Sequence, residues 1–254
     1  TNLGLYRTAQ PDTLYNLHLR DASASGLLIS QCPDPSFIKD LTITDNADYV
    51  LLLSGSGLPG YDNLSLSGNG NSRIGYTGLI IEDTVLDIAG YPGELLFFGN
   101  TKVYNAANPR LSITAGSELR FANGATIQIA HPINSAGNSY RGELFAQGTA
   151  LDPIIFTADD DLPGGWGGLH FYNSTDHNGA ESSIEHCIIE KATSNLNLYK
   201  TAQPDTLQSL QLLDASINGL QLSQSPVPCV LQDLSITNCA EYPILLNGAG
   251  LPVY

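Results

Sequence analysis

Three aspartates in a row, Asp159, Asp160 and Asp161, form the densest acidic cluster of the chain. Loops rich in carboxylates bind Ca²⁺, so these three are the candidate metal ligands, with Asp176 and Glu181 as further donors if the loops converge. The EF-hand spacing is missing, and so is the glycine-rich nonapeptide of calcium-binding β-rolls. Adjacent side chains also point apart, so a solvated loop is the simpler reading and the metal stays open. His170, His177 and His186 fall within a window of 17 residues. No zinc spacing such as H-E-x-x-H joins them, and no G-x-S-x-G elbow supplies a nucleophile. Asp21 and Asp45 stand 24 residues apart; on successive rungs of a sheet their carboxylates would lie about 5 Å from each other, a separation that also suits a retaining glycosidase. Arg110, Arg120 and Arg141 are the basic residues near the middle of the chain, and no motif surrounds them. No catalytic residue is assigned, and Ca²⁺ is the one cofactor these residues admit.

The elements that would carry these groups follow from a repeat. Residues 1–61 align without a gap onto 194–254, an offset of 193, with 35 of the 61 positions identical. The clearest stretch is Leu5-Tyr6-Arg7-Thr8-Ala9-Gln10-Pro11-Asp12-Thr13-Leu14 against Leu198-Tyr199-Lys200-Thr201-Ala202-Gln203-Pro204-Asp205-Thr206-Leu207. Residues 1–193 read as one complete unit and 194–254 as the start of the next, continuous with it and without a linker. Repetition at fixed period marks a fold that grows along one axis. The mates of Asp21 and Asp45 are Asp214 and Asn238. The acid pair is therefore not kept, and a turn role, with Asp and Asn bonding backbone N–H groups, is favoured.

A shorter period runs inside the long one. Leu17-x-Leu19-x-Asp21 recurs as Leu41-x-Ile43-x-Asp45 and Leu64-x-Leu66-x-Gly68, at spacings of 24 and 23. Each is a short apolar/polar alternation, the pattern of a strand with one buried face. Runs such as Gly26-Leu27-Leu28-Ile29 and Val50-Leu51-Leu52-Leu53 lie between them, separated by turn formers including Pro33-Asp34-Pro35 and Gly68-Asn69-Gly70. This predicts an all-β right-handed parallel β-helix, a β-solenoid of about 23–24 residues per coil and roughly eight coils per 193-residue unit, advancing roughly 38 Å. Leu17, Leu41 and Leu64 are expected to stack as an interior ladder. Residues 70–183 are less regular but strand-rich, with insertions expected at 132–140 and 159–165.

Charged residues make up only 14% of the chain, so Ser, Thr, Asn and Gln must supply polar surface. Net charge is −15, and residues 1–193 carry 9 Lys+Arg against 21 Asp+Glu, or −12 per unit. Nucleic acid is excluded as a partner, because phosphate binding relies on clustered Lys and Arg. No apolar run approaches the length of a membrane span. The absence of Met, and a second copy that stops at Tyr254 within the pattern, lead us to expect a segment of a longer array. Cys32, Cys187, Cys229 and Cys239 do not recur with the repeat, as Ser225, Ser36 and Asn46 take three of the equivalent places. They are expected to be small buried or half-buried residues rather than a disulfide framework.

Gly142-Glu143-Leu144-Phe145-Ala146-Gln147-Gly148-Thr149, then Pro153-Ile154-Ile155-Phe156-Thr157 and Gly164-Gly165-Trp166-Gly167-Gly168-Leu169-His170-Phe171, resembles a phrase of right-handed parallel β-helix repeat proteins of bacterial cell surfaces, relatives of the pectate-lyase fold. The resemblance covers about 50 residues and implies the fold, an extracellular or cell-surface location, and no specific activity, since such folds carry enzymes, adhesins and stalks alike. Trp166 between glycine pairs reads as a packing residue at a tight turn, with ligand stacking as the alternative. The chain is expected to be a structural or adhesive rod or fibre without catalysis, whose partners are further copies end to end and glycans or other cell-surface components. The alternatives are a polysaccharide lyase or hydrolase, and a glycan-binding module or phage-type tail spike.

Overall fold

The computed structural model describes residues 1–7, 13–32, 37–89, 91, 93–130, 140–172, 181–201, 203–225 and 229–253. The turn at Pro33-Asp34-Pro35, the 132–139 part of the first insertion, Asp176 and His177 lie outside them. Among the described residues every regular element is a strand and none is a helix. The first copy of the repeat gives β1 (Leu3–Tyr6), β2 (Thr13–Arg20), β3 (Leu27–Ser30), β4 (Phe37–Thr44), β5 (Tyr49–Ser54) and β6 (Tyr61–Ser67). The middle supplies β7 (Asn71–Ile80), β8 (Thr84–Leu86), β9 (Leu95–Val103), β10 (Arg110–Ile113), β11 (Glu118–Phe121) and β12 (Thr126–Ile129). It continues with β13 (Glu143–Gln147), β14 (Ile154–Ala158), β15 (Gly168–Tyr172), β16 (Ser183–Glu185) and β17 (Cys187–Glu190). The second copy gives β18 (Ser194–Tyr199), β19 (Thr206–Gln208), β20 (Gln211–Leu213), β21 (Asn218–Ser223), β22 (Val230–Gln232), β23 (Ser235–Thr237) and β24 (Tyr242–Asn247).

All pairings between these strands are parallel, so the chain is a β-solenoid. One face stacks β1, β3, β5, the start of β7, the start of β9, β11, β14, β17, β20 and β23. The second stacks the ends of β7 and β9 with β12, β15, β18, β21 and β24. The third stacks β8, β10, β13, β16, β19 and β22. In the first three coils β2, β4 and β6 form a sheet of their own and cover the two remaining sides. These strands bend midway at Asn16, Asp40 and Asn63, all in the left-handed region. Asn and Asp tolerate that conformation better than other L-residues.

Ten rungs on the first face make nine turns. Their interior line reads Leu3, Leu27, Leu51, Ile74, Leu95, Leu119, Phe156, Ile189, Leu212 and Ile236. Leu27 to Phe156 are buried, as are Ile189 and Leu212, and burying such a side chain is worth about 2 kcal/mol. Leu17, Leu41 and Leu64 do stack in register, with Leu41 buried and the outer two half-buried. Coil lengths of 24, 24 and 23 in the first copy match the sequence rhythm, but the middle departs from it: Leu119 to Phe156 spans 37 residues (156 − 119) and Phe156 to Ile189 spans 33 (189 − 156). One 193-residue unit therefore holds fewer coils than the sequence rhythm suggests: seven turns and a part, because the insertions lengthen coils instead of adding them.

Aromatic rings fill part of the core in the middle coils. Tyr76, Phe97 and Phe121 stack on consecutive rungs with centroids 4.8 and 4.9 Å apart, and Phe121 lies against Trp166 at 4.1 Å. Offset ring pairs of this kind add stabilisation beyond their buried area. Asparagines line one corner from within. The backbone N–H of Ala22 donates to Asn46 Oδ1 at 2.9 Å, and Asn46 Nδ2 donates to Asn69 Oδ1 at 2.9 Å. Each rung thereby satisfies a buried polar group of its neighbour.

Candidate functional site

The corners between faces place polar groups on the surface, and a polar depression lies on the third face. Strands β13, β16 and β19 present alternate residues outward, as the period of two requires. Phe145, Gln147, Glu185, Thr206 and Gln208 line a groove of about 410 Å³ together with Glu181, Gln203 and Asp205. Gln147 Nε2 donates to Ser183 Oγ at 2.9 Å, and the backbone N–H of Ser182 donates to Gln203 Oε1 at 3.4 Å. Among the described residues three carboxylates and no cation stand in this lining, so it repels polyanions and suits hydroxyl-rich or cationic ligands that donate hydrogen bonds.

Beside the groove, Glu143 is a buried carboxylate that sequence reasoning left unassigned. Asn108 Nδ2 donates to its Oε1 at 2.6 Å, Arg110 Nε to its Oε2 at 2.7 Å, and the backbone N–H of Glu181 to Oε1 at 3.2 Å. The Arg110 guanidinium in turn lies 4.0 Å from the centroid of the Phe145 ring. A buried carboxylate that receives this many donors is held in place, which fits an anchor for the groove wall. Register carries the signal, since Arg110 pairs with Glu143 across neighbouring rungs. Sequence spacing of 33 residues does not reveal it.

The three adjacent aspartates find separate partners. Both oxygens of Asp159 accept from Arg73 Nη1 at 2.6 Å, Asp160 Oδ1 accepts the backbone N–H of Leu162 at 3.1 Å, and Asp161 takes Lys191 Nζ at 3.0 Å. The hydrogen bond from Lys191 holds the Asp161 carboxyl below its usual range. Among the described residues no group of three His, Cys, Asp or Glu side chains stands close enough together to hold a metal ion. Glu181 lies with the groove and the Glu143 anchor, away from the aspartates' partners.

The remaining candidates are dispersed. His170 is on β15, its Nε2 3.2 Å from the Gly167 carbonyl oxygen, and burial lowers its pKa. His186 occupies a left-handed corner position between β16 and β17. Arg120 pairs with Glu118 at 2.7 Å, and Arg141 forms a backbone bridge with Asn105. Asp21 and Asp45 both sit at left-handed corners, as do Asp214 and Asn238, where Asn238 Nδ2 donates to Asp214 Oδ1 at 3.0 Å. That is the turn ladder expected of Asx residues. Trp166 is fully buried, stacked on Phe121, with its indole N–H donating to the Glu190 carbonyl at 2.8 Å. It is a packing residue with no face for a ligand. None of the four cysteines is joined in a disulfide; Cys32, Cys187 and Cys229 are buried and Cys239 is half-buried.

Comparison with known proteins adds no family to this geometry: no family model matches the chain, and neither the curated proteins nor the solved structures provide a match.

Proposed function

We propose that this chain is part of an extracellular structural or adhesive rod, assembled from tandem 193-residue units and active through stiffness and repeated surface rather than catalysis. The observation that carries the reading is the unbroken interior line from Leu3 to Ile236, which passes from the first copy through the middle into the second. Residues on either side of position 193 share one core, since β15, β16 and β17 before it pair with β18, β19 and β20 after it. Adjoining units built this way have no hinge, and each coil supplies backbone partners to the next. The phrase around Trp166 supports a bacterial cell-surface setting, with further copies of the unit and surface glycans as partners. Electron microscopy of chains with one, two and three units tests it: straight rods that lengthen by about 35 Å per unit are expected, at 4.8 Å per rung. Beads or bends at unit boundaries would overturn it.

A second reading, glycan binding, is favoured by the groove on the third face, whose amides and carboxylates match the donors of a neutral sugar. A glycan array with the intact chain and with Asp205→Ala tests it; equal signals from both, or none from either, would remove the idea.

A further inference from the structure

The two copies of the repeat fold alike but do not sit on the same sides of the solenoid. Leu3 pairs with Leu27, and their mates Leu196 and Leu220 pair likewise; Leu27 pairs with Leu51, and Leu220 with Ile244. Yet β1, β3 and β5 belong to the first face, whereas their mates β18, β21 and β24 belong to the second. The corners tell the same story independently. Arg7, Gln31 and Gly55 form a left-handed corner ladder in the first copy, and Lys200, Gln224 and Gly248 form its mate in the second. The first ladder continues into the corner between the first and second faces, where the N–H of Gly55 donates to the Thr77 carbonyl at 2.8 Å. The second follows β18, β21 and β24, one corner further round. The count explains the offset. Leu3 to Ile189 closes seven turns on the first face, while the mate of Leu3 is Leu196, seven residues (196 − 189) and one corner later.

We infer that each 193-residue unit advances the solenoid by seven turns and one face, so that successive units are rotated by a third of a revolution about the rod axis. This rests on the rod reading above. Three units then complete 22 turns (3 × 7⅓), about 106 Å at 4.8 Å per rung. Every feature repeated in each unit is shown in three directions. Two aromatic–cation pairs mark it: Arg7 lies over the exposed Tyr6 ring at 5.4 Å and Lys200 over the half-buried Tyr199 at 5.1 Å, on different edges of the rod. The groove follows the same rule, because its walls straddle the unit boundary: Phe145 and Glu185 come from one unit, Asp205 and Gln208 from the next. A flat target therefore meets an equivalent site on every third unit, whereas partners dispersed around the rod, including neighbouring rods, are reached from all sides.

Helical reconstruction by cryo-electron microscopy of a chain with at least three tandem units tests this. A rise near 35 Å with a rotation near 120° is expected, with a layer line near 106 Å. Rods with the same rise and no rotation would overturn the screw and leave the rod reading standing. Particles that are not rods would overturn the rod reading itself.

Discussion

The same leucine is buried in one copy of the repeat and half-exposed in the other. Leu210 is fully buried while its mate Leu17 is only half-buried; Leu41 is buried while its mate Leu234 is half-buried. Ile43 and Leu53 are buried, and their mates Ile236 and Leu246 are not. Equivalent positions of the repeat thus meet opposite surroundings, and position in the stack decides between them. The later coils of the first copy and the early coils of the second are covered on both sides by neighbouring rungs. Burial in a solenoid is a nearest-neighbour property, so a side chain's worth depends on what lies above and below it.

The region joining the copies is the place to break this contrast. Trp166→Ala removes the ring against Phe121 and the bond to the Glu190 carbonyl, and should cost about 4 kcal/mol in denaturant unfolding. Leu210→Ala should cost about 3 kcal/mol and Leu17→Ala less than half of that, with the order reversed for Leu41→Ala against Leu234→Ala. Equal losses within each pair would show that stacking position does not set the energy. Asn46→Ala should cost about 2 kcal/mol, since it orphans the Ala22 N–H, whereas Cys239→Ala at the equivalent place should change stability by roughly 0.5 kcal/mol or less.

Two titrations sharpen the picture with smaller effects. Burial holds the His170 imidazole below its ordinary value of 6.5, so the unfolded chain takes up that proton more readily than the native one. Stability from this residue is present above about pH 6.5 and is lost as pH falls below it, and His170→Gln should flatten the slope of unfolding free energy between about pH 7 and 5. Burial also pushes the Cys187 thiol up to about 12 and that of Cys229 to about 11. Half-buried Cys239 should therefore be alkylated ahead of both, read by mass spectrometry of iodoacetamide-treated native protein.

The fold was legible where the coil length is constant. Leu17, Leu41 and Leu64 keep the rhythm, and two-residue alternation then dictates which side faces inward. It was illegible in the middle, because an insertion at a corner changes the spacing but leaves the ladder intact. Leu119 and Phe156 are neighbours on successive rungs, yet they stand 37 residues apart (156 − 119). The aromatic stack of Tyr76, Phe97 and Phe121 was hidden for a related reason: isolated aromatic residues reveal no shared column until register is known. Glu143 shows the same limit at the candidate site, since its partners Asn108, Arg110 and Glu181 converge through rung pairing. The Asp159–Asp161 cluster, conspicuous in one dimension, is divided among Arg73, Leu162 and Lys191 in three. The face on which each copy sits depends on the sum of all coil lengths, which no local pattern contains.

Corners that absorb extra residues without disturbing the strands have a practical meaning. Between Leu119 and Ile189 two coils carry additional chain, and the rungs on both sides still pair in parallel. A foreign peptide spliced at such a bend would ride outside the core like luggage on a roof rack, and a row of bends would hold cargo at spacings set by the backbone alone.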